Sequence, residues 1–114
     1  MRVSKDFQKM VAELASPMPN FDFLHGAIGV SKEAGEVLDK ACRNFAYSTP
    51  IDWDNIEEEL GDILFYMELI RQSSNGRITW ERVERANIEK LSKRYPDGVF
   101  DRKDAEKRAD KNEE

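Results

Sequence analysis

The amino-acid sequence predicts an all-α protein of four helices. Three observations carry that expectation. Apolar residues recur at spacings of three and four in four separate stretches. No stretch alternates apolar and polar residues as a half-buried strand does. Clusters of Pro, Gly, Ser and Asn separate the stretches. At 114 residues the chain has the size of one domain, expected over residues 1–100 with a charged tail over 101–114.

The first helix is expected from about Ser4 to Leu14, with Phe7, Met10, Val11 and Leu14 at helical spacing and Ser4 as its cap. Ser16-Pro17-Met18-Pro19-Asn20 stops it. The second runs from near Phe23 to Phe45, where Ile28, Val30, Ala34, Val37, Leu38, Ala41 and Phe45 are read as the buried stripe. Gly26, Gly29 and Gly35 either permit close helix packing or soften the helix, at roughly 1 kcal/mol each relative to alanine. A third helix is expected from Trp53 to Arg71, capped by Asp52 or Asp54, with Ile56, Leu60, Ile63, Leu64, Met67 and Ile70 as its stripe. Ser73-Ser74-Asn75-Gly76 breaks it. Thr79 then caps a fourth helix that ends before Pro96, and Asp97-Gly98 forms a turn. The tail after Phe100 is either a short helix or disordered. Such wide apolar faces on so short a chain favour a homodimer, or a higher oligomer, that completes a four-helix or larger bundle.

Composition narrows the chemistry. Apolar residues make up 39% and charged residues 36%, and no apolar run approaches the roughly 20 residues that span a bilayer. Met1 to Glu13 reads as a helix rather than a secretory signal, so a reducing cytoplasm is expected (the host's, if the protein is viral). One cysteine, Cys42, excludes an internal disulfide framework and a multi-cysteine zinc site. Cys42 itself reads as an inert small core residue. One histidine, His25, excludes a multi-histidine zinc centre and a paired ExxH di-iron bundle within one chain. A net charge of -5 argues against a nonspecific nucleic-acid binder, because no excess of cations is available for the phosphate backbone. No membrane or nucleic-acid partner is expected.

A carboxylate site for a hard cation remains open. Glu33 and Glu36 lie one turn apart on the second helix, and Glu59 and Asp62 one turn apart on the third. Each pair borders its helix's apolar stripe, so antiparallel packing would bring four acids to the rim of the core. Acids that close repel unless a divalent cation compensates them. Magnesium prefers oxygen ligands and retains positions for waters and substrate phosphates. The bland alternative is a pair of solvated helix faces. Glu57 and Glu58 read that way, and Lys40 has Glu36 as a spacing-four ion-pair partner.

Three stretches resemble the MazG-like all-α nucleoside triphosphate pyrophosphohydrolase superfamily, in a small stand-alone form. They are Gly29-Val30-Ser31-Lys32-Glu33-Ala34-Gly35-Glu36-Val37, Glu58-Glu59-Leu60-Gly61-Asp62-Ile63-Leu64-Phe65-Tyr66 and Asn87-Ile88-Glu89-Lys90-Leu91-Ser92-Lys93-Arg94-Tyr95-Pro96-Asp97-Gly98. Phe100 and an Ala105-x-x-Arg108 element follow. Lys32 departs from the pattern, standing where many relatives have a further glutamate. The resemblance implies that Glu33, Glu36, Glu59 and Asp62 bind magnesium, with manganese as a possible substitute, and form the catalytic centre. Glu36 is the preferred general base. The implied reaction converts a (deoxy)nucleoside triphosphate and water to the monophosphate and pyrophosphate by attack at the α phosphorus. Asn87, Lys90, Arg94 and Tyr95 become substrate-binding candidates, joined by Lys40, Arg43 and His25. Lysine would meet phosphate as a point charge and arginine as a bidentate fork. Trp53 and Trp80 read as packing anchors. The alternatives are a nucleotide-binding regulator without turnover and a noncatalytic helical dimerisation module.

Overall fold

A computed structural model describes residues 2–98 and Glu106. The expectations for the tail, including Phe100, Ala105 and Arg108, lie outside the described residues. The chain is all-α: α1 (Lys5–Leu14), α2 (Pro19–Tyr47), α3 (Trp53–Ser73) and α4 (Trp80–Arg94). No helix of the described residues is long and apolar enough to cross a membrane. The chain divides into two compact units, one of Val3–Arg77 holding α1 to α3, the other holding α4; each is described by itself.

The helix starts follow the side chains that can cap them. Ser4 Oγ accepts from the Phe7 amide at 3.1 Å, Asp52 Oδ1 from the Asn55 amide at 3.1 Å, and Thr79 Oγ1 from the Arg82 amide at 3.2 Å. Of the two acids that could start α3, Asp52 is therefore the cap. α2 begins further upstream than its apolar pattern suggested, because Pro19 occupies its first turn, where a missing amide hydrogen costs nothing. It ends at Ser48, in the left-handed region (φ 55°), whose amide donates to the Asn44 carbonyl. Asn44 Nδ2 also donates to the Thr49 carbonyl at 2.8 Å, stitching the turn into α3.

Two features position α2 against α3. A Cβ added at Gly26 would lie 2.8 Å from Ile70 Cγ1 and 3.0 Å from the Tyr66 carbonyl oxygen, and one added at Gly29 would overlap the face of the Tyr66 ring. These two glycines therefore serve close packing, and they run antiparallel to their partners on α3. Gly35 has open space around it and plays no part in that contact. Gly29→Ala is expected to lower the melting temperature by roughly 5–15 °C, since overpacking costs about 1–3 kcal/mol. Gly61→Ala, where the added Cβ meets nothing within 4 Å, should raise it by a few degrees; thermal melts of the two variants separate packing from helix propensity.

The buried face of α2 is not the apolar stripe expected for it. Asp22, Gly26, Gly29 and Glu33 are buried, while Ile28, Ala34, Leu38, Ala41 and Phe45 are exposed and Val30 and Val37 half-buried. Leu38 is 63% and Phe45 93% exposed. Cys42, expected in the core, is exposed with them. Trp53, expected to anchor packing, is 69% exposed, whereas Trp80 is buried. The physical reason is that the buried positions of α2 carry no apolar side chain: two glycines bring its backbone close to α3, with a carboxylate on either side of them at Asp22 and Glu33, and Val30 and Val37 only flank that line.

α1 docks on the end of α3 through Val11, fully buried, and a polar network. Glu68, also fully buried, accepts from Arg71 Nε and an Arg71 terminal nitrogen at 2.7 Å each and from Gln72 Nε2 at 2.6 Å. Gln72 Nε2 also donates to the Gln8 carbonyl at 2.8 Å, tying the network to α1.

Candidate functional site

The antiparallel register that stacks Gly29 on Tyr66 continues along the two helices. One to two turns further on, it sets Glu33 and Glu36 of α2 against Glu59 and Asp62 of α3. Ligand oxygens of Glu33, Glu59 and Asp62 lie within 4.8 Å of one another. Glu36 is not one of that trio, but its side chain is a hydrogen-bonding neighbour of both Glu33 and Glu59. The four acids are therefore gathered on one side of α2 and α3, as a solvated-face arrangement would not require.

Burial makes the cluster demanding. Glu33 is 8% exposed, and the Glu59 side chain 12%. Asp62 is exposed and Glu36 half-buried. One oxygen of each of the two inner acids, Glu33 Oε2 and Glu59 Oε2, is buried without a hydrogen-bond partner among the described residues. A buried polar atom left unpaired is costly. Such orphaned acceptors beside two further carboxylates fit a hard, oxygen-seeking divalent cation, which offers coordination where no donor side chain is supplied.

Protonation answers the same repulsion in the metal-free protein. The hydrogen bond with Glu59, then burial, then Glu36 push Glu33 up to about 7. Glu59 is held below its ordinary value, first by Glu33, then by Glu36 and by Lys40. Of the two inner acids, Glu33 is therefore the one that holds a proton more readily. An arriving cation has to displace it. Affinity for Mn2+ is expected to climb between about pH 5 and about pH 7 and to level off above, with proton release near pH 6; titration calorimetry in buffers of different ionisation enthalpy reads both. The folding linkage has opposite signs for the two acids. Stability from Glu33 is present below 4.5 and lost as pH rises through about 7, whereas stability from Glu59 is present above 4.5 and lost as pH falls.

Lys40 is turned away from its expected partner on its own helix. Its Nζ lies 3.5 Å from Glu59 Oε1 across the helix pair, at the edge of the acid cluster. Arg43 instead pairs with Asp39 at 3.0 Å on the exposed side of α2. His25 lies between two rings, 5.7 Å from Phe21 and 5.6 Å from Tyr66 centroid to centroid, and remains exposed. In the other unit, Asn87, Lys90 and Arg94 fall at spacings of three and four along α4, Asn87 exposed and the two cations half-buried. Tyr95 forms its C-cap, its amide donating to the Leu91 carbonyl at 2.8 Å.

Two residues of the α2–α3 face were not anticipated. Tyr66 is the ring on which Gly29 and His25 both rest. Asn55, one turn before Glu59, has a buried Oδ1 with no partner among the described residues. The signal was present: Asn55, Glu59, Asp62 and Tyr66 recur at four, three and four, a single helix face.

No curated protein and no solved structure matches the chain. A family model described as the MazG nucleotide pyrophosphohydrolase domain matches residues 27–99. That span contains both acid pairs, their close-packed glycine Gly29 and the whole of α4, and the chain accordingly belongs to the MazG nucleotide pyrophosphohydrolase family.

Proposed function

We propose that this chain hydrolyses nucleoside triphosphates, deoxynucleoside triphosphates above all, to the monophosphate and pyrophosphate. The observation that carries this is the pair of orphaned, buried carboxylate oxygens on Glu33 and Glu59, clustered with Asp62 and beside Glu36, in a chain of this family. The four acids hold a divalent cation, magnesium with manganese as its substitute. When bound, it supplies positive charge against the triphosphate and against the charge that builds on the departing pyrophosphate.

The chain's own residues do the rest. Glu36 orients the attacking water and accepts its proton. The water oxygen forms a bond to the α phosphorus, the bond from that phosphorus to the bridging oxygen breaks, and its electron pair leaves with pyrophosphate. Lys40, already at the edge of the cluster, exchanges Glu59 for a phosphate oxygen. On α4, side-chain chemistry assigns phosphate contacts to Lys90 and Arg94, and a phosphate, sugar or base contact to Asn87. Tyr95 and His25 offer flat surfaces for the base. The active form is a cytoplasmic homodimer.

A product-resolved assay over the common ribonucleoside and deoxyribonucleoside triphosphates, with magnesium and manganese compared, tests the proposal. Monophosphate and pyrophosphate should appear together in equal amounts and vanish on chelation. Diphosphate with free phosphate would mean the wrong bond is cut. Tight magnesium-dependent nucleotide binding with no product would mark a regulator instead.

A further inference from the structure

α2 carries two seams of identical spacing on opposite sides. The inner one, Asp22, Gly26, Gly29, Glu33, Glu36 and Lys40, faces α3. The outer one steps by three and four through Phe21, Leu24, Ile28, Ser31, Gly35, Leu38, Cys42 and Phe45, and every one of these eight residues is exposed. A 3,4 repeat sustained over more than three heptads is the pattern of a helix that packs lengthwise on another helix. We infer that this outer seam is the interface with a second copy of the chain, α2 against α2 in antiparallel orientation, with residues whose numbers sum to about 73 facing each other.

Three features of the sequence and the structure favour that partner and that register. At the centre large meets small, Leu38 facing the other copy's Gly35, whose Cα has open space where a Cβ would stand, and at each end Ile28 and Phe45 bury two large side chains against each other. Ser31 faces Cys42. The groove formed by Asp39, Cys42, Arg43, Ala46, Tyr47 and Thr49 lies where the second copy's Leu24 and Ile28 arrive. One flank of the seam is Ala27, Ala34 and Ala41, all exposed, which lets the two backbones approach closely. The other flank carries Lys32 and Asp39. Antiparallel packing sets flanks of the same kind opposite each other, so the Lys32 of each copy meets the Asp39 of the other, beside the Arg43 that Asp39 already pairs with in its own chain. A parallel pair would set both against alanine. Lys32, the residue that departs from the family pattern ahead of Glu33, thereby acquires a partner outside its own chain. Since the outer seam lies opposite the inner one, pairing leaves the acid clusters uncovered by it.

This rests on the homodimer reading above, and the test separates the two. The full chain is examined by sedimentation equilibrium over a range of concentrations, with circular dichroism confirming helix content. Leu38→Glu, at a site exposed in the single copy, should raise the dimer dissociation constant at least about tenfold with unchanged helicity. Asp39→Lys should weaken pairing, and adding Lys32→Glu should restore it. Under oxidation, Ser31→Cys should crosslink to Cys42 of the other copy, as peptide mapping would read. Ser31→Cys with Cys42→Ser should not crosslink, the two introduced thiols being about 16 Å apart along the axis. A chain that stays monomeric at every concentration ends both proposals. A dimer indifferent to Leu38→Glu, or one that crosslinks through residue 31 on both copies, ends only the seam.

Discussion

Glu59→Gln and Asp62→Asn should each reduce pyrophosphate release by about 10²–10⁴-fold, the range expected when several kcal/mol of charge stabilisation is withdrawn from a phosphoryl transfer. Glu33→Gln should be as damaging to turnover and should do something further. In the metal-free protein it replaces a buried carboxyl that is pushed up to about 7 by Glu59, burial and Glu36. Above that pH the wild-type side chain is forced to ionise beside two other acids, and the amide is not. The variant should therefore melt higher than wild type at about pH 8 without metal, and lose most of that advantage near pH 5. Added Mn2+ should raise the wild-type transition and leave that of the variant nearly unmoved. Loss of activity together with loss of stability at pH 8 would show instead that Glu33 serves the fold. Phosphate-product chromatography and scanning calorimetry on the same preparations make the distinction.

The second large effect lies far from the acid cluster. Glu68→Ala removes a fully buried carboxylate that accepts from Arg71 through both oxygens and from Gln72. Breaking a buried ion pair by deleting one partner costs about 3–5 kcal/mol, because the remaining charge is stranded. For a chain of this size the melting temperature should fall by roughly 15 °C or more. Combining Glu68→Met with Arg71→Met should recover part of the loss, since removing both charges strands neither. Gln8→Ala, which leaves the pair intact and deletes a long contact to Arg71 at 3.4 Å and a hydrogen bond to the Val3 carbonyl at 3.0 Å, should cost far less. Denaturant titration of the four proteins orders them.

How much of this was legible in the sequence follows from what periodicity measures. Helix starts were legible because Ser4, Asp52 and Thr79 cap by local geometry, which no tertiary contact needs to supply. The acid pairs were legible because a spacing of three fixes a common face. Which face of α2 is buried was not. Two seams with the same 3,4 rhythm lie on opposite sides, and hydrophobicity favours the one that is exposed. The buried side is built from Gly26, Gly29 and Glu33, residue types that ordinarily argue against a core. Glu68 was unread for a related reason: a glutamate in mid-helix is usually solvated, and only the meeting of α1 with α3 encloses it. The roles proposed for Lys40 and His25 had to wait for their neighbours, Glu59 and Tyr66, which are 19 and 41 positions away in the chain.

The contact between α2 and α3 is fastened in two unlike ways. Around Gly26 and Gly29 it is mechanical, backbone seated against ring and side chain, and indifferent to salt, pH or ions. Around Glu33 and Glu59 it is conditional, since like charges there push outward until a proton or a metal cancels them. The helix pair thus resembles tweezers with a permanent rivet and responsive tips. Backbone amides near the tips should exchange with solvent faster in chelator than in Mn2+, while those near the rivet keep one rate in both. Under the proposed function, grip on the nucleotide would be set by the ion supply of the surroundings without any moving domain.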